Sequence, residues 1–206
     1  MDEPQWLLWA RELQAIAQTG LTFSQDNYDL DRYQRLRAIA VEMLAVGSNT
    51  SLERVQGLFE QDLGYPTPKV DVRAAIFRDD RILMVREISD GRWTLPGGWA
   101  DVNQSPGECV EREVREESGF EARAVKLAAV YDRRLRNPSA HPYSIYKLFF
   151  ICELTGGAAS PSIETSAVEF FARDQLPDLS LGRTSPMQIE CMYEHWKHPE
   201  RMTDFD

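Results

Sequence analysis

The chain has 206 residues, 43% hydrophobic and 27% charged, with 33 acidic against 23 basic side chains and a formal charge of −10. Aromatic and branched residues are plentiful and no apolar run approaches the ~20 residues that cross a bilayer, which excludes disordered, fibrous and membrane-spanning classes. The acid excess and only four lysines argue against extended nucleic-acid binding, which rests on Lys and Arg.

The N-terminus, Met1-Asp2-Glu3-Pro4, is acidic where a signal peptide is positive, so a cytoplasmic location is expected. From there to a join near Gly64-Tyr65-Pro66-Thr67-Pro68 the pattern is helical. Trp6, Leu7, Ala10, Leu13 and Ala17 form one stripe. Leu36, Ile39, Ala40, Met43 and Leu44 form a second, closed by Gly47. Leu52, Val55, Leu58, Phe59 and Leu63 form a third, capped by Ser51. Helices this short bury little alone. Residues 1–66 are therefore expected to be a small all-α domain that packs on the rest or on a second copy, giving a homodimer.

Residues 67–206 change to mixed strand and helix. Strands are predicted over Val70 to Phe77, Ile82 to Val85, Ala124 to Val130, Tyr143 to Cys152 and Val168 to Ala172, with a turn at Arg78-Asp79-Asp80-Arg81. Helices are predicted from Ser105 to Ser118 and from about Pro186 to His198, and Thr155-Gly156-Gly157 reads as a hairpin or loop. Strands with a helix on either side predict an α/β sandwich. Cys109, Cys152 and Cys191 lie far apart with no CxxC pair, as expected of reduced thiols. No histidine stands in a spacing typical of a metal site, and no serine or cysteine shows a nucleophile motif.

The helix after Ser105 carries the chemistry. Ser105 with Glu108 forms a capping box, Pro106 takes the first helical position and Gly119 the left-handed position beyond the end. At about 100° per residue, Glu113, Glu116 and Glu117 share an arc of about 100°, while Glu111 and Arg115 point away as a solvated pair. Like charges gathered near a helix C-terminus oppose the macrodipole. A hard divalent cation, Mg²⁺ or Mn²⁺, would offset that cost, and oxygen-only donors suit it. Arg112 is placed to orient one of the carboxylates.

The stretch from Gly98 to Phe120 resembles the Nudix box, G-x5-E-x7-R-E-U-x-E-E-x-G-U, with U aliphatic or aromatic. Gly98 matches the first glycine, Arg112-Glu113 the R-E pair, Glu116-Glu117 the E-E pair and Gly119-Phe120 the end; Gln104 departs from the early glutamate. The resemblance implies a Nudix α/β/α sandwich with a mixed sheet. It implies metal-dependent hydrolysis of a phosphoanhydride, with Glu113, Glu116 and Glu117 on the metals and Arg112 bracing them. Gln104 keeps an acceptor and two donors but cannot act as a base or strong ligand. Glu164 is the candidate general base from outside the box, with Glu153 and Glu169 as weaker alternatives. The helical N-terminal segment is further similar to enzymes that cleave nucleoside diphosphates linked to another moiety, of CDP-choline or ADP-ribose type. Arg133, Arg134, Trp99 and Arg183 are candidate substrate contacts, although for Trp99 packing under the glycine loop is the stronger expectation. Two other readings stay open: a catalytically impaired ligand sensor, with Gln104 as its sign, and a hydrolase of RNA ends.

Overall fold

The computed structural model describes residues 3–60, 64–136 and 141–206. These group into two compact units: one holds the chain up to Pro68 together with the described residues 141–144, the other holds the remainder. No helix among the described residues is long and apolar enough to cross a membrane.

The first unit contains α1 (Gln5–Phe23), α2 (Asn27–Ser48) and α3 (Leu52–Glu60). Their apolar stripes meet in one cluster of Leu7, Ala10, Val41, Leu44, Ala45, Val55 and Phe59. Asp26 starts α2 by accepting the Tyr28 and Asp29 N–H groups at 2.9 and 3.0 Å. Ser51 accepts from Arg54 N–H at 3.4 Å, as its capping position predicts. Gly47 does not close α2. The helix runs on to Ser48, and Asn49 closes it in the left-handed region, φ 52°. Gly47 answers to packing instead, because a Cβ there would stand 2.5 Å from the Trp6 ring. Residues 141–144 belong to this unit: Arg11 donates to the His141 carbonyl at 2.9 Å, Tyr143 Oη donates to the Leu58 carbonyl at 3.1 Å, and the Tyr143 ring meets Phe59 edge-on. Leu63, expected in the third stripe, lies outside the described residues.

The second unit is a mixed sheet between two helices. Its elements are β1 (Lys69–Arg78), β2 (Arg81–Glu87), β3 (Trp93–Thr94), α4 (Pro106–Ser118), β4 (Phe120–Asp132), α5 (Arg133–Arg136), β5 (Ile145–Gly157), β6 (Thr165–Ala172), α6 (Pro186–Lys197) and β7 (Asp204–Phe205). The sheet order is β3-β2-β1-β5-β4-β7, with β6 on β2. The pairs β1/β5 and β4/β7 are parallel and the others antiparallel. Alternate side chains separate two cores. Val72, Ala74, Ile76 and Leu83 pack under Cys109, Val110 and Val114 of α4. Ala75, Ile82 and Met84 pack under Ile189, Met192 and Tyr193 of α6. Asp79 and Asp80, φ 51° and 58°, make the β1–β2 turn, since Asp tolerates the left-handed region. The strand expected from Tyr143 begins at Ile145, because Tyr143 is engaged in the first unit. The expected loop at Thr155-Gly156-Gly157 is instead the paired end of β5.

Candidate active site

Both ends of α4 are pinned. Glu108 accepts the Ser105 N–H at 2.8 Å, Ser105 Oγ accepts the Glu108 N–H at 3.3 Å, and Gly119 turns the chain away at φ 73°. That fixed register brings two box glutamates against the glycine loop. Glu117 is 5% exposed and accepts the Gly97 N–H at 2.8 Å. Gly97 sits at φ 140°, where a Cβ would lie 2.0 Å from the Val72 carbonyl oxygen, so only glycine passes there. At Gly98 a Cβ would lie 3.0 Å from Glu113 Oε2, so the bare backbone makes room for that carboxylate. Gly98→Ala is expected to push the Glu113 carboxylate aside, leave the fold intact and weaken cation binding by roughly 10-fold, the scale of a disturbed ligand-supporting contact. Calorimetric Mg²⁺ titration reads this, and unchanged affinity would detach Gly98 from the site.

Arg112 ties the outer part of the face together. Its Nη1 donates to Glu116 at 2.7 Å, its Nε donates to Gln104 Oε1 at 3.1 Å, and its Nη2 lies 2.9 Å from both Asp101 and Glu113. Burial pushes Glu117 up to about 7, with the Gly97 N–H and the Arg73 charge opposing. Burial also raises Glu113, against the pull of Arg112.

A buried charge network lies behind the loop. Arg73, 4% exposed, makes a two-pronged contact of 2.9 Å with Asp71 and donates to the Leu95 carbonyl at 3.1 Å. Arg73 and Lys147 hold Asp71 below the usual carboxylate range despite its burial. Lys147 donates to the Arg183 carbonyl and lies 3.6 Å from Asp71; burial lowers it to about 7. Glu87, at the end of β2, is raised by burial, with Arg183 opposing and Glu164 adding to the rise.

These features match known proteins. The NUDIX domain model matches residues 67–188, and a model described as "UDP-X-like, N-terminal oligomerisation domain" matches residues 4–59. The chain belongs to the Nudix hydrolases. It is 42% identical over 204 residues, 99% of this chain and 98% of the relative, to a Bacillus subtilis (strain 168) protein named "Putative ADP-ribose pyrophosphatase YjhB". The crystal structure of an ADP-ribose pyrophosphatase from Streptococcus suis 89-1591 shares 43% identity, covering 68% of this chain and all of that one, with a TM-score of 0.63. The crystal structure of a UDP-X diphosphatase shares 35% identity, covers all of both chains and has a TM-score of 0.65.

Within this Nudix hydrolase the candidate residues are placed unevenly. The loop bearing Glu164 is drawn to the C-terminal end of α4, because Thr165 Oγ1 donates to the Glu117 carbonyl at 2.6 Å; the Glu164 side chain is exposed. Arg183 reaches the same region, with Nε 3.0 Å from Glu87 and further contacts to Asp90, Ser89 and Ser180. Arg133 is buried, and its charge acts on Lys147. Arg134 lies outside, 3.5 Å from Asp132. Trp99 does not pack under the loop: it is 48% exposed, bridged through its backbone to Asp71. Glu111 forms no solvated pair of the kind expected; it accepts the Ala124 N–H at 2.8 Å and fastens α4 to β4. Glu153 pairs with Arg123 across β4 and β5, and Glu169 lies opposite Met84 in the β2–β6 ladder. Sequence reasoning missed Asp71, Arg73, Glu87, Asp101 and Lys147. The visible signal was the presence of Asp71, Arg73 and Lys147 inside apolar strands, where charges appear only when paired.

Proposed function

We propose that this Nudix hydrolase is a divalent-cation-dependent pyrophosphohydrolase of nucleoside diphosphates linked to a second moiety, of ADP-ribose, UDP-X or CDP-choline type. The products are a nucleoside monophosphate and a phosphorylated second fragment. The observation that carries this reading is Glu117, a carboxylate buried at the glycine loop whose ionised form is held at a cost, on a face shared with Glu113 and Glu116. Such a carboxylate suits a cation, and an oxygen-only donor set suits Mg²⁺ or Mn²⁺. Glu113, Glu116 and Glu117 would hold it. When bound, it would neutralise the diphosphate's non-bridging oxygens and make water a better nucleophile.

The chain's own residues supply the rest. The Gly97 N–H fixes the Glu117 carboxylate. Arg112 neutralises Glu113 and Glu116 until a cation shares them, and Asp101 and Gln104 hold its guanidinium when it yields. Glu164 would take a proton from the water that attacks phosphorus as the bridging oxygen leaves, since its loop is bonded to the end of α4. Arg183 and the exposed Arg134 would be the cations for phosphate, Arg133, being buried, would act only through its charge, and Trp99 would offer a half-exposed ring to a base. The first unit would join two copies, a reading supported by its match to an oligomerisation domain and by exposed Trp9, Phe23, Tyr28 and Val46.

The test is turnover of ADP-ribose, UDP-sugars, CDP-choline, dinucleoside polyphosphates and capped RNA with Mg²⁺ or Mn²⁺, with products identified. Cleavage of the diphosphate-linked compounds is expected. Preference for capped RNA would reassign the substrate, and tight binding without turnover would make the chain a sensor. Gln104→Glu adds a fourth negative partner to Arg112 and is expected to free Glu116 and lower the half-saturating Mg²⁺ by about 3-fold to 10-fold. Identical Mg²⁺ curves would show that position 104 does not set cation affinity.

A further inference from the structure

On the α6 face of the sheet, away from α4, three metal-ligating side chains converge. Cys191 and His195 are four residues apart on α6 and so share a helix face; Asp204 comes from β7. Among the described residues this is the only group of three such side chains whose donor atoms all lie within 4.8 Å of one another. Asp204 Oδ2 is 3.2 Å from Cys191 Sγ and 3.1 Å from His195 Nε2. Donors at about 2.0–2.3 Å from a tetrahedral ion stand roughly 3.3–3.6 Å apart, so these separations are already near the edges of such a polyhedron. No histidine spacing in the sequence announced this, because the third ligand arrives from the two-residue β7.

We propose that Cys191, His195 and Asp204 form a second cation site, for Zn²⁺ or a similar late first-row divalent metal, separate from the carboxylate face of α4. The donor chemistry separates the two: one thiolate, one imidazole and one carboxylate select Zn²⁺ over Mg²⁺, whereas glutamates alone select the reverse. His195 is 1% exposed and its Nδ1 has no hydrogen-bond partner, so the ring's polar contact runs through Nε2, the nitrogen that faces Asp204. Tyr131 Oη lies 3.2 Å from Cys191 Sγ, placed to donate to the thiolate that coordination would create; the thiol proton leaves to solvent. Arg201 Nη2 is 3.5 Å from the same Asp204 oxygen. Its side chain is partly exposed and would swing outward as the ion enters.

Bound there, an ion would clip the last strand to α6. β7 otherwise rests on its register of Ala129 with Asp204 and Val130 with Phe205, on the Thr203 bond to the Leu127 carbonyl, and on Asp206 with Arg136 and the Asp132 N–H. The test uses the full chain, stripped of metal, kept reduced and saturated with Mg²⁺, then titrated with Co²⁺ as a spectroscopic stand-in for Zn²⁺. A thiolate-to-Co²⁺ charge-transfer band is expected that saturates at one equivalent and is displaced by Zn²⁺. Cys191→Ser should abolish the band, and Asp204→Asn should weaken binding by about 10-fold or more. Zn²⁺ should raise the thermal midpoint of the wild type but not of Cys191→Ser, whose Mg²⁺-dependent activity, read separately, should be unchanged. Absence of a thiolate band, or a band that persists in Cys191→Ser, would overturn the proposal and leave the cluster as a hydrogen-bond network. Because the readout is Co²⁺ absorption, it stands whatever the substrate panel shows.

Discussion

Glu117→Gln is expected to lower turnover by about 10²-fold or more while leaving the fold intact, and to stabilise the metal-free protein. The amide oxygen can still accept the Gly97 N–H, so the loop keeps its anchor. What disappears is a buried charge. Burial raises the Glu117 carboxyl from 4.5 to about 7, so the stability associated with its protonated form is complete below pH 4.5 and lost as pH rises through 7. At pH 8 the ionised group then costs on the order of 3 kcal/mol in the absence of a cation. Glu117→Gln should therefore melt higher than the wild type at pH 8 in chelator, with the gap closing toward pH 5. Added Mg²⁺ should stabilise the wild type and not the variant. Retained turnover would remove Glu117 from the cation site, and an unaltered melting temperature in chelator would show that its burial carries no such cost.

Arg73→Met should have the largest effect on stability. It would strand Asp71 beneath the glycine loop with only Lys147, 3.6 Å away, as a counter-charge. Removing one partner of a buried pair costs about 3–5 kcal/mol, or roughly 10 °C in a chain of this size. The loss should be partly reversed in Arg73→Met/Asp71→Asn, because the orphaned charge is then gone and Lys147, lowered to about 7, can shed its proton. Thermal and urea unfolding of the wild type, Arg73→Met, Asp71→Asn and the double variant measure the coupling. A cost below about 1 kcal/mol, or strict additivity, would mean that the contact is not a coupled unit.

The parts of the structure that were legible in the sequence are those with a local cause. Ser105, Pro106, Glu108 and Gly119 mark the ends of α4 through contacts made within a few residues, and the predicted boundaries are close to those observed. β1 and β2 follow from branched residues on either side of a two-aspartate turn. The box glutamates were readable because helical spacing alone places them on one face. Most of what escaped depends on distant partners. β3 and β7 are two residues long and exist only through pairing with β2 and β4. Asp71 and Arg73 pair at a spacing of two on one face of β1, a local signal that was overlooked, whereas Lys147 joins them only through the neighbouring parallel strand β5. Trp99 read as core because it is large and apolar, yet the loop carries it outward. Gly47 read as a helix end because glycine often is one, whereas its duty is to accommodate the Trp6 ring.

The segment around His141 has a topological consequence for anyone who would dissect this chain. It leaves the hydrolase unit after α5, contributes the His141 carbonyl and the Tyr143 ring and hydroxyl to the helical unit, and returns as β5. The two units are thus joined by three covalent crossings, and no single scission near Pro66 separates them cleanly. A fragment starting after that point would carry a loop whose partners Arg11, Leu58 and Phe59 had been removed, at the entrance to a central strand. Loss of activity on truncation would then report a damaged hydrolase unit as readily as a lost assembly, so point substitutions on the exposed helical surface are the sounder probe of what the helices contribute.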